Sequence, residues 1–333
     1  MSQNGLLVVI GATGAQGQSV INHVSKQFPE MKIRGISRNS SSPASQALKN
    51  KGVEMVTGDM TNRESLVVAF KGATTIFAMT DFWAPVFARI GAGKIENIWP
   101  DSIDLEVNTG KNIADAAYAT LPTLERFIFS SLQPEMGHSP WAAGKLQIIE
   151  YIESLPKGLK NLVDITQLVW PAYFMENFKN YEGFIKPKKD ENGNWISSTP
   201  MRADKPINLL AARRDTGLYV AAILARPPPS AENKTKPVFM YSEVRTYSQA
   251  FEVIGKENGH ELRYKQKPAG QAAKEAPGIG EAFQEMYDHL GSDEPRNGPD
   301  VCIGPKELGI DLSKATSFEE HVRANNWDNW FVE

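Results

Sequence analysis

Leu7-Val8-Val9-Ile10-Gly11-Ala12-Thr13-Gly14-Ala15-Gln16-Gly17 decides how the rest of the chain reads. Four consecutive apolar residues suit a strand buried on both faces, and glycines at three-residue intervals follow at once. Gly11 permits a tight turn, Gly14 lets backbone amides approach a pyrophosphate, and Gly17 allows close packing of the helix that begins there. A helix opening behind such a turn points free N–H groups and the positive end of its dipole at the loop, which suits phosphate. The spacing is G-x-x-G-x-x-G rather than G-x-G-x-x-G, and a lone glycine pattern can equally be a turn without a ligand. Its place at the head of a β-α-β series favours a nicotinamide dinucleotide.

Outward from the loop, strands are expected over 6–10, 32–37, 53–57, 75–79, 126–130 and 162–168, and helices over 16–27, 44–51, 63–70, 101–119 and 142–154. The helix over 16–27 carries Val20, Ile21 and Val24 on one face, and that over 101–119 carries Ile103, Val107, Ile113 and Ala117. Strict alternation predicts an α/β fold, a Rossmann-type doubly wound parallel sheet spanning 1–170. After Trp170-Pro171 the regularity breaks. Residues 172–210 are rich in Lys, Asn, Gly and Pro, with Asn192-Gly193-Asn194 reading as a hairpin turn. Arg226-Pro227-Pro228-Pro229-Ser230 reads as a solvated connection. Helices over 213–225 and 247–258, strands over 238–241 and 262–265, and a terminal helical region make 171–333 a smaller α+β substrate lobe. Some of its elements can return to the main sheet.

Composition narrows the function classes. A formal charge of −3 and a pI near 6.0 give no drive toward nucleic acid. No apolar run approaches the ~20 residues of a membrane span, and the apolar start lacks the basic leader of an export signal. The expectation is a soluble, cytoplasmic protein, also nuclear if it is a regulator, working as a monomer or homodimer. The single cysteine, Cys302, cannot form an internal disulfide and reads as a buried, inert thiol rather than a catalytic one. His23, His138, His260, His289 and His321 are scattered without ligand spacing, so no metal is expected. No Gly-x-Ser-x-Gly elbow points to a hydrolase.

The end of the second strand selects the dinucleotide. Ser37-Arg38-Asn39-Ser40, with Arg34 upstream, offers no acid for ribose hydroxyls, whereas a guanidinium forks onto a 2′-phosphate, so NADP(H) is expected. A plain surface arginine is the competing account of Arg38. Asp59-Met60, after the third strand, stands where an adenine edge would lie, or is an ordinary turn.

These residues resemble the NmrA-like family, atypical short-chain dehydrogenase/reductases. The glycine stretch is similar to that family's opening, and Phe77-Ala78-Met79-Thr80-Asp81-Phe82-Trp83 to its segment after the fourth strand. Pro171-Ala172-Tyr173-Phe174-Met175-Glu176-Asn177-Phe178 looks like its P-x-x-Y-M-E-N-F segment. Asp215-Thr216-Gly217-Leu218-Tyr219-Val220-Ala221-Ala222 resembles its D-x-G-x-x-V-A helix. The match runs in order through roughly the first 225 residues and loosens beyond, where substrate choice should lie. The resemblance implies a dinucleotide held by Gly11, Thr13, Gly14, Ala15, Gln16 and Gly17, with Met79, Thr80 and Ser130 lining the strand ends and Pro171 and Tyr173 toward the nicotinamide. The family is mixed. Its namesake is a fungal regulator that senses oxidised dinucleotide and binds a transcription factor, while isoflavone-reductase-type relatives are NADPH-dependent enzymes and other fungal members work in secondary metabolism.

Conventional short-chain dehydrogenases place Tyr-x-x-x-Lys after the fifth strand, with a serine at that strand's end. Here the serine position is Ser130-Ser131, the lysine is Lys145, and the tyrosine is replaced by Trp141. Indole neither gives nor takes a proton near neutral pH. Isoflavone-reductase-like enzymes also lack the tyrosine and use the lysine, so Lys145 is a candidate proton carrier, or holds only the ribose hydroxyls. Tyr173 is a second candidate, or an aromatic packing residue. His138, in a loop beside Glu135, is a third, or merely solvated. Phe82, Trp83 and Trp141 are expected to wall a pocket for a bulky apolar substrate, with core packing as the plainer account, and Asp81, on the loop after the fourth strand, faces the substrate or simply water. The reading is an oxidoreductase transferring hydride to C=C, C=N or C=O, including a redox-neutral rearrangement or cyclisation. Its rival is a non-catalytic sensor that binds a protein partner.

Overall fold

The computed structural model describes residues 5–136, 139–292 and 300–332. Residues 1–170, 216–239 and 296–310 make one compact unit; 171–215, 240–295 and 311–333 make a second.

The first unit is built on strands β1 (Leu6–Val9), β2 (Lys32–Ser37), β3 (Glu54–Thr57), β4 (Thr75–Met79), β5 (Arg126–Ser130) and β6 (Thr166–Pro171). They alternate with helices α1 (Ala15–Gln27), α2 (Pro43–Lys49), α3 (Arg63–Phe70), α4 (Trp83–Gly91), α5 (Ile98–Ala119) and α6 (Pro140–Ser154). The sheet order is the strand Val238–Met240, then β6, β5, β4, β1, β2 and β3. Pairing from β3 to β6 is parallel, with Leu7 opposite both Ile33 and Thr75. Leu7, Val8 and Val9 are all fully buried, as a central strand covered on both faces demands. The order reverses between β1 and β4, and ligands of such sheets bind beyond the strand carboxyl ends at that reversal.

Three local differences from the sequence reading have physical causes. Helix α4 lies in a stretch to which the sequence reading assigns no element, and it carries Pro85 near its start and Gly91 at its end. Proline is tolerated in a first turn, and Asp81 Oδ1 accepts the Ala84 amide at 3.1 Å to start the helix. Helix α5 begins at Ile98 rather than 101, with Pro100 likewise in its first turn. Strand β6 starts late because Thr166 donates back to the Leu162 carbonyl and Asn161 to Asp164, closing a tight turn over Val163–Ile165.

Glycines let α5 and α6 meet closely. A Cβ at Gly110 would stand 2.2 Å from Ile148, and one at Gly144 would stand 2.5 Å from Glu106 Oε2. Arg126, 2 % exposed at the head of β5, donates to the carbonyls of Ile223 and Arg226 at the end of the helix Ala212–Leu224. Burial lowers its guanidinium to about 10.

The second unit holds two small sheets. In one, Pro206–Leu210 pairs parallel with Tyr173–Phe174 and antiparallel with Glu243–Thr246. In the other, Trp195–Ser197 pairs with Lys188–Lys189 around the Asn192-Gly193-Asn194 turn, and with Leu262–Tyr264. Buried Asp215 accepts from Ser242 Oγ (2.6 Å), the Thr316 amide (2.8 Å) and Thr316 Oγ1 (2.9 Å), tying three distant segments. An aromatic core of Phe178, Tyr247, Phe251 and Phe318 fills this unit. No helix among the described residues is long and apolar enough to cross a membrane.

Candidate active site

The glycine loop is held by its own backbone. Gly11 has φ +64°, a conformation that favours glycine, and a Cβ there would meet Met79 Sδ at 3.2 Å. The Gly14 amide donates to the Gly11 carbonyl at 2.8 Å, and Gln18 Nε2 donates to the Thr13 carbonyl at 2.7 Å. Gly17 is the tightest point: a Cβ would lie 2.3 Å from the Gly11 carbonyl oxygen. Gly14 caps α1 with no side-chain hydrogen bond, so the first-turn amides from Ala15 onward lack the usual capping acceptor. That cradle fits a pyrophosphate.

Around the loop, Ser130 Oγ donates to Gln16 Oε1 at 2.9 Å, joining the end of β5 to the start of α1. Asn112 donates to the Met60 carbonyl at 2.9 Å. Arg38 is exposed. The Asp59 carboxyl is held below its ordinary range, first by the Thr61 amide and hydroxyl and then by the charge of Arg38. Arg34 does not join that corner. It pairs with Glu54 at 3.0 Å and donates to the Ala69 and Lys71 carbonyls, which leaves Arg38 as the basic group at the strand end.

Beyond β4 lies a buried polar triangle. Thr80 Oγ1 donates to Glu106 Oε1 at 2.6 Å, and Lys145 Nζ donates to Thr80 Oγ1 at 2.7 Å and to Glu106 Oε1 at 2.8 Å. The Lys145 side chain is 13 % exposed and that of Glu106 is fully buried. Glu106 escaped the sequence reading, although a signal was there: it continues the stripe 103-106-110-113-117 on the inward face of α5, where a carboxylate needs a reason.

Trp141, buried on α6, stacks on Trp83 at 5.3 Å. Phe82 stacks on Trp99 at 6.3 Å and meets Trp83 edge-on at 5.4 Å, while Trp83 stacks on Phe87 at 5.4 Å. The structure therefore groups the three aromatic residues singled out from the sequence and adds Phe87 and Trp99. Asp81 is exposed and accepts the Ala84 amide in the first turn of α4.

Pro171 and Tyr173 fall in the second unit. The Tyr173 ring packs edge-on against Phe178 (5.8 Å) and Tyr247 (6.4 Å), its buried hydroxyl has no partner of ordinary hydrogen-bond geometry among the described residues, and burial raises its phenol well above the ordinary tyrosine range. His138 lies outside the described residues. Cys302 is 1 % exposed, and burial pushes its thiol up.

Residues 3–324 match the model of the NmrA-like family. The chain belongs to the NmrA-like family. Among curated relatives, the NmrA-like family domain-containing oxidoreductase FrzB of Cladobotryum sp. is 30% identical over 233 residues, covering 67% of this chain and 65% of the relative. Other relatives of the family, matched over more of their length, are also named oxidoreductases, and the kinship supports that class. Among solved structures, NmrA, a negative transcriptional regulator in complex with NAD, superposes with a TM-score of 0.68 at 19% identity over 97% of this chain and 95% of that one. The triphenylmethane reductase of Citrobacter sp., complexed with NADP(H), gives 0.66 at 18% identity over 96% and 99%. At such identities these NmrA-like folds testify to architecture, the seven-stranded sheet with its smaller mixed companion.

Proposed function

We propose that the protein is an NADP(H)-dependent oxidoreductase acting on a bulky apolar small molecule of secondary metabolism. The observation that carries this reading is the Lys145–Glu106–Thr80 triangle beyond the end of β4, beside a loop built for a pyrophosphate. A bare dinucleotide sensor has no need to bury an ion pair there, since burying two charges costs several kcal/mol per ion before their attraction offsets it.

In this reading Gly11, Thr13, Gly14, Ala15 and Gln16 hold the pyrophosphate, Gly17 admits the close helix, and Arg38 meets the 2′-phosphate. Asp59 and Met60 border the adenine. Met79, Thr80 and Ser130 line the nicotinamide side. When bound, the nicotinamide supplies or accepts hydride, to or from C=C, C=N or C=O. Lys145 donates hydrogen bonds and manages the proton, a task Trp141 cannot perform. Substrates already polarised, such as imines or iminium ions, need little acid and make the missing tyrosine tolerable, and a redox-neutral rearrangement is within the same chemistry. Tyr173 stays out of the proton path, because its phenol holds its proton too firmly to serve near neutral pH. The aromatic group Phe82, Trp83 and Trp141 suits a bulky aromatic substrate, and the solved triphenylmethane reductase is a fold relative named for one.

The competing reading is a regulator that senses the dinucleotide and binds a transcription factor. Trp141 at the tyrosine position is what favours it. Calorimetry with NADPH, NADP⁺, NADH and NAD⁺ separates the two. The oxidoreductase reading expects preference for the reduced phosphorylated form, falling about tenfold or more in Arg38→Ala as a charge-assisted contact is lost. Preference for oxidised forms, or indifference to the 2′-phosphate, overturns it.

A further inference from the structure

We propose that Glu106 is a positioning residue that keeps Lys145 an oriented ammonium, with one N–H left to offer. An ammonium has three donors. Two are spent inside the triangle, on Thr80 Oγ1 at 2.7 Å and Glu106 Oε1 at 2.8 Å. The third has no partner among the described residues. Since Nζ is tied to two atoms on different elements, the free N–H points along one direction instead of sweeping a cone about the last side-chain bond.

Thr80 and Glu106 each have little freedom to yield. The Thr80 hydroxyl gives its own proton to Glu106 Oε1 at 2.6 Å, which turns its lone pairs toward Lys145. Glu106 sits on the inward face of α5, 1 % exposed. Its second oxygen, Oε2, is buried without a partner among the described residues and stands 2.5 Å from where a Cβ on residue 144 would be, so glycine there admits the carboxylate. The charge of Glu106 is not shared with the other ionic groups of this layer. Arg63 of α3 and Tyr151 of α6 go to Asp115, Arg89 of α4 goes to Asp101, and Asp81 accepts the Ala84 amide. Among the described residues Glu106 is left to Lys145 and Thr80 alone.

This inference adds to the proposed function the means by which Lys145 acts, but its test needs neither substrate nor dinucleotide. Trace acetylation of the intact protein by acetic anhydride, read at Lys145 by peptide mass spectrometry, reports how readily the amine is found neutral. In Glu106→Gln the buried ammonium loses its counter-charge, so acetylation at about pH 7 rises about tenfold, and the excess over wild type shrinks toward none at about pH 11. An excess of the same size at every pH, or no excess, overturns the proposal, because local loosening exposes the amine equally at all pH values. If Glu106→Gln does not fold, the double variant Glu106→Gln with Lys145→Met regains the fold, as no unpaired ammonium remains buried; a double variant that stays unfolded overturns the proposal too. A protein that turns over no substrate at all still yields this answer, so the two readings fail separately.

Discussion

At Gly17 two residue-scale effects oppose each other. Alanine is preferred over glycine inside a helix by about 1 kcal/mol, yet here the added Cβ would stand 2.3 Å from the Gly11 carbonyl oxygen and 2.9 Å from Ala12 Cα. Both are backbone atoms of the phosphate loop, and backbone cannot rotate aside as a side-chain end can. Overpacking of that kind costs about 1–3 kcal/mol, so Gly17→Ala lowers the melting temperature and weakens NADPH binding at least about tenfold by calorimetry; unchanged affinity would mean that the loop does not hold the dinucleotide. Tyr173 presents the converse case. Among the described residues its buried hydroxyl has no partner of ordinary hydrogen-bond geometry, the Tyr247 hydroxyl offering only a poor one, and removing so poorly satisfied a buried polar group is neutral or stabilising by about 1–2 kcal/mol. Tyr173→Phe therefore melts no earlier than wild type and keeps turnover within about twofold. A loss of about a hundredfold or more in kcat, the scale of a missing general acid, would return Tyr173 to the proton path.

At the scale of elements, Arg126 shows how a charge far from the site holds the sheet that carries it. Its guanidinium, buried at the head of β5, satisfies carbonyls at the end of the helix Ala212–Leu224, and Arg226 in turn donates to the Glu307 carbonyl. Arg126→Met leaves those acceptors without their charged donor at a cost of about 2–4 kcal/mol, visible in urea unfolding of the whole chain; a midpoint that does not move would show that water replaces the guanidinium without cost. This contact also illustrates which parts of the molecule the sequence discloses. The alternation of strands and helices and the loop from Gly11 to Gly17 were legible because each is a local pattern with a fixed period or spacing, whereas Phe82 and Trp83 came together with Trp141, 58 residues on, only through the family resemblance. The partners of Arg126 lie 97 and 100 residues away, and no local rule reaches that far. Glu106 is an intermediate case. Its place on the apolar stripe of α5 is local and readable, but its partners Lys145 and Thr80 come from α6 and the end of β4, so the triangle exists only once the three elements are packed. Helix α4 is a different case, since its proline and glycine, which would break a helix interior, are harmless at its ends.

For the molecule as a whole, the buried titratable groups of the second unit predict a stability plateau bounded on both sides. His321 is 6 % exposed, and burial lowers its folded pKa below the ordinary histidine value, with Arg214 acting in the same direction and Glu176 against it. The unfolded chain therefore binds the histidine proton first, and stability present near pH 7 is lost as pH falls below about 6.5 toward the folded pKa. Asp59, Asp190, Asp311 and Glu320, whose folded pKa values are lowered by hydrogen bonds, lose their contributions only further down, below the ordinary carboxylate range, so the first acid loss belongs to His321. The alkaline side has the opposite sign. Burial raises Tyr173, Tyr181, Tyr247 and Tyr287, and pushes Tyr264 up to about 12. Each keeps its proton in the folded state after the unfolded chain has lost it, so stability falls as pH rises above about 10, and the raised Cys302 thiol adds to the fall. Melting temperatures measured across that range should be level from about pH 7 to 9 and decline on either side. His321→Gln should flatten the decline between about pH 6.5 and 5 while leaving the alkaline decline in place. If the acid decline survives that substitution unchanged, the proton taken up on unfolding belongs to another group, and His321 is not the residue that links this fold to pH.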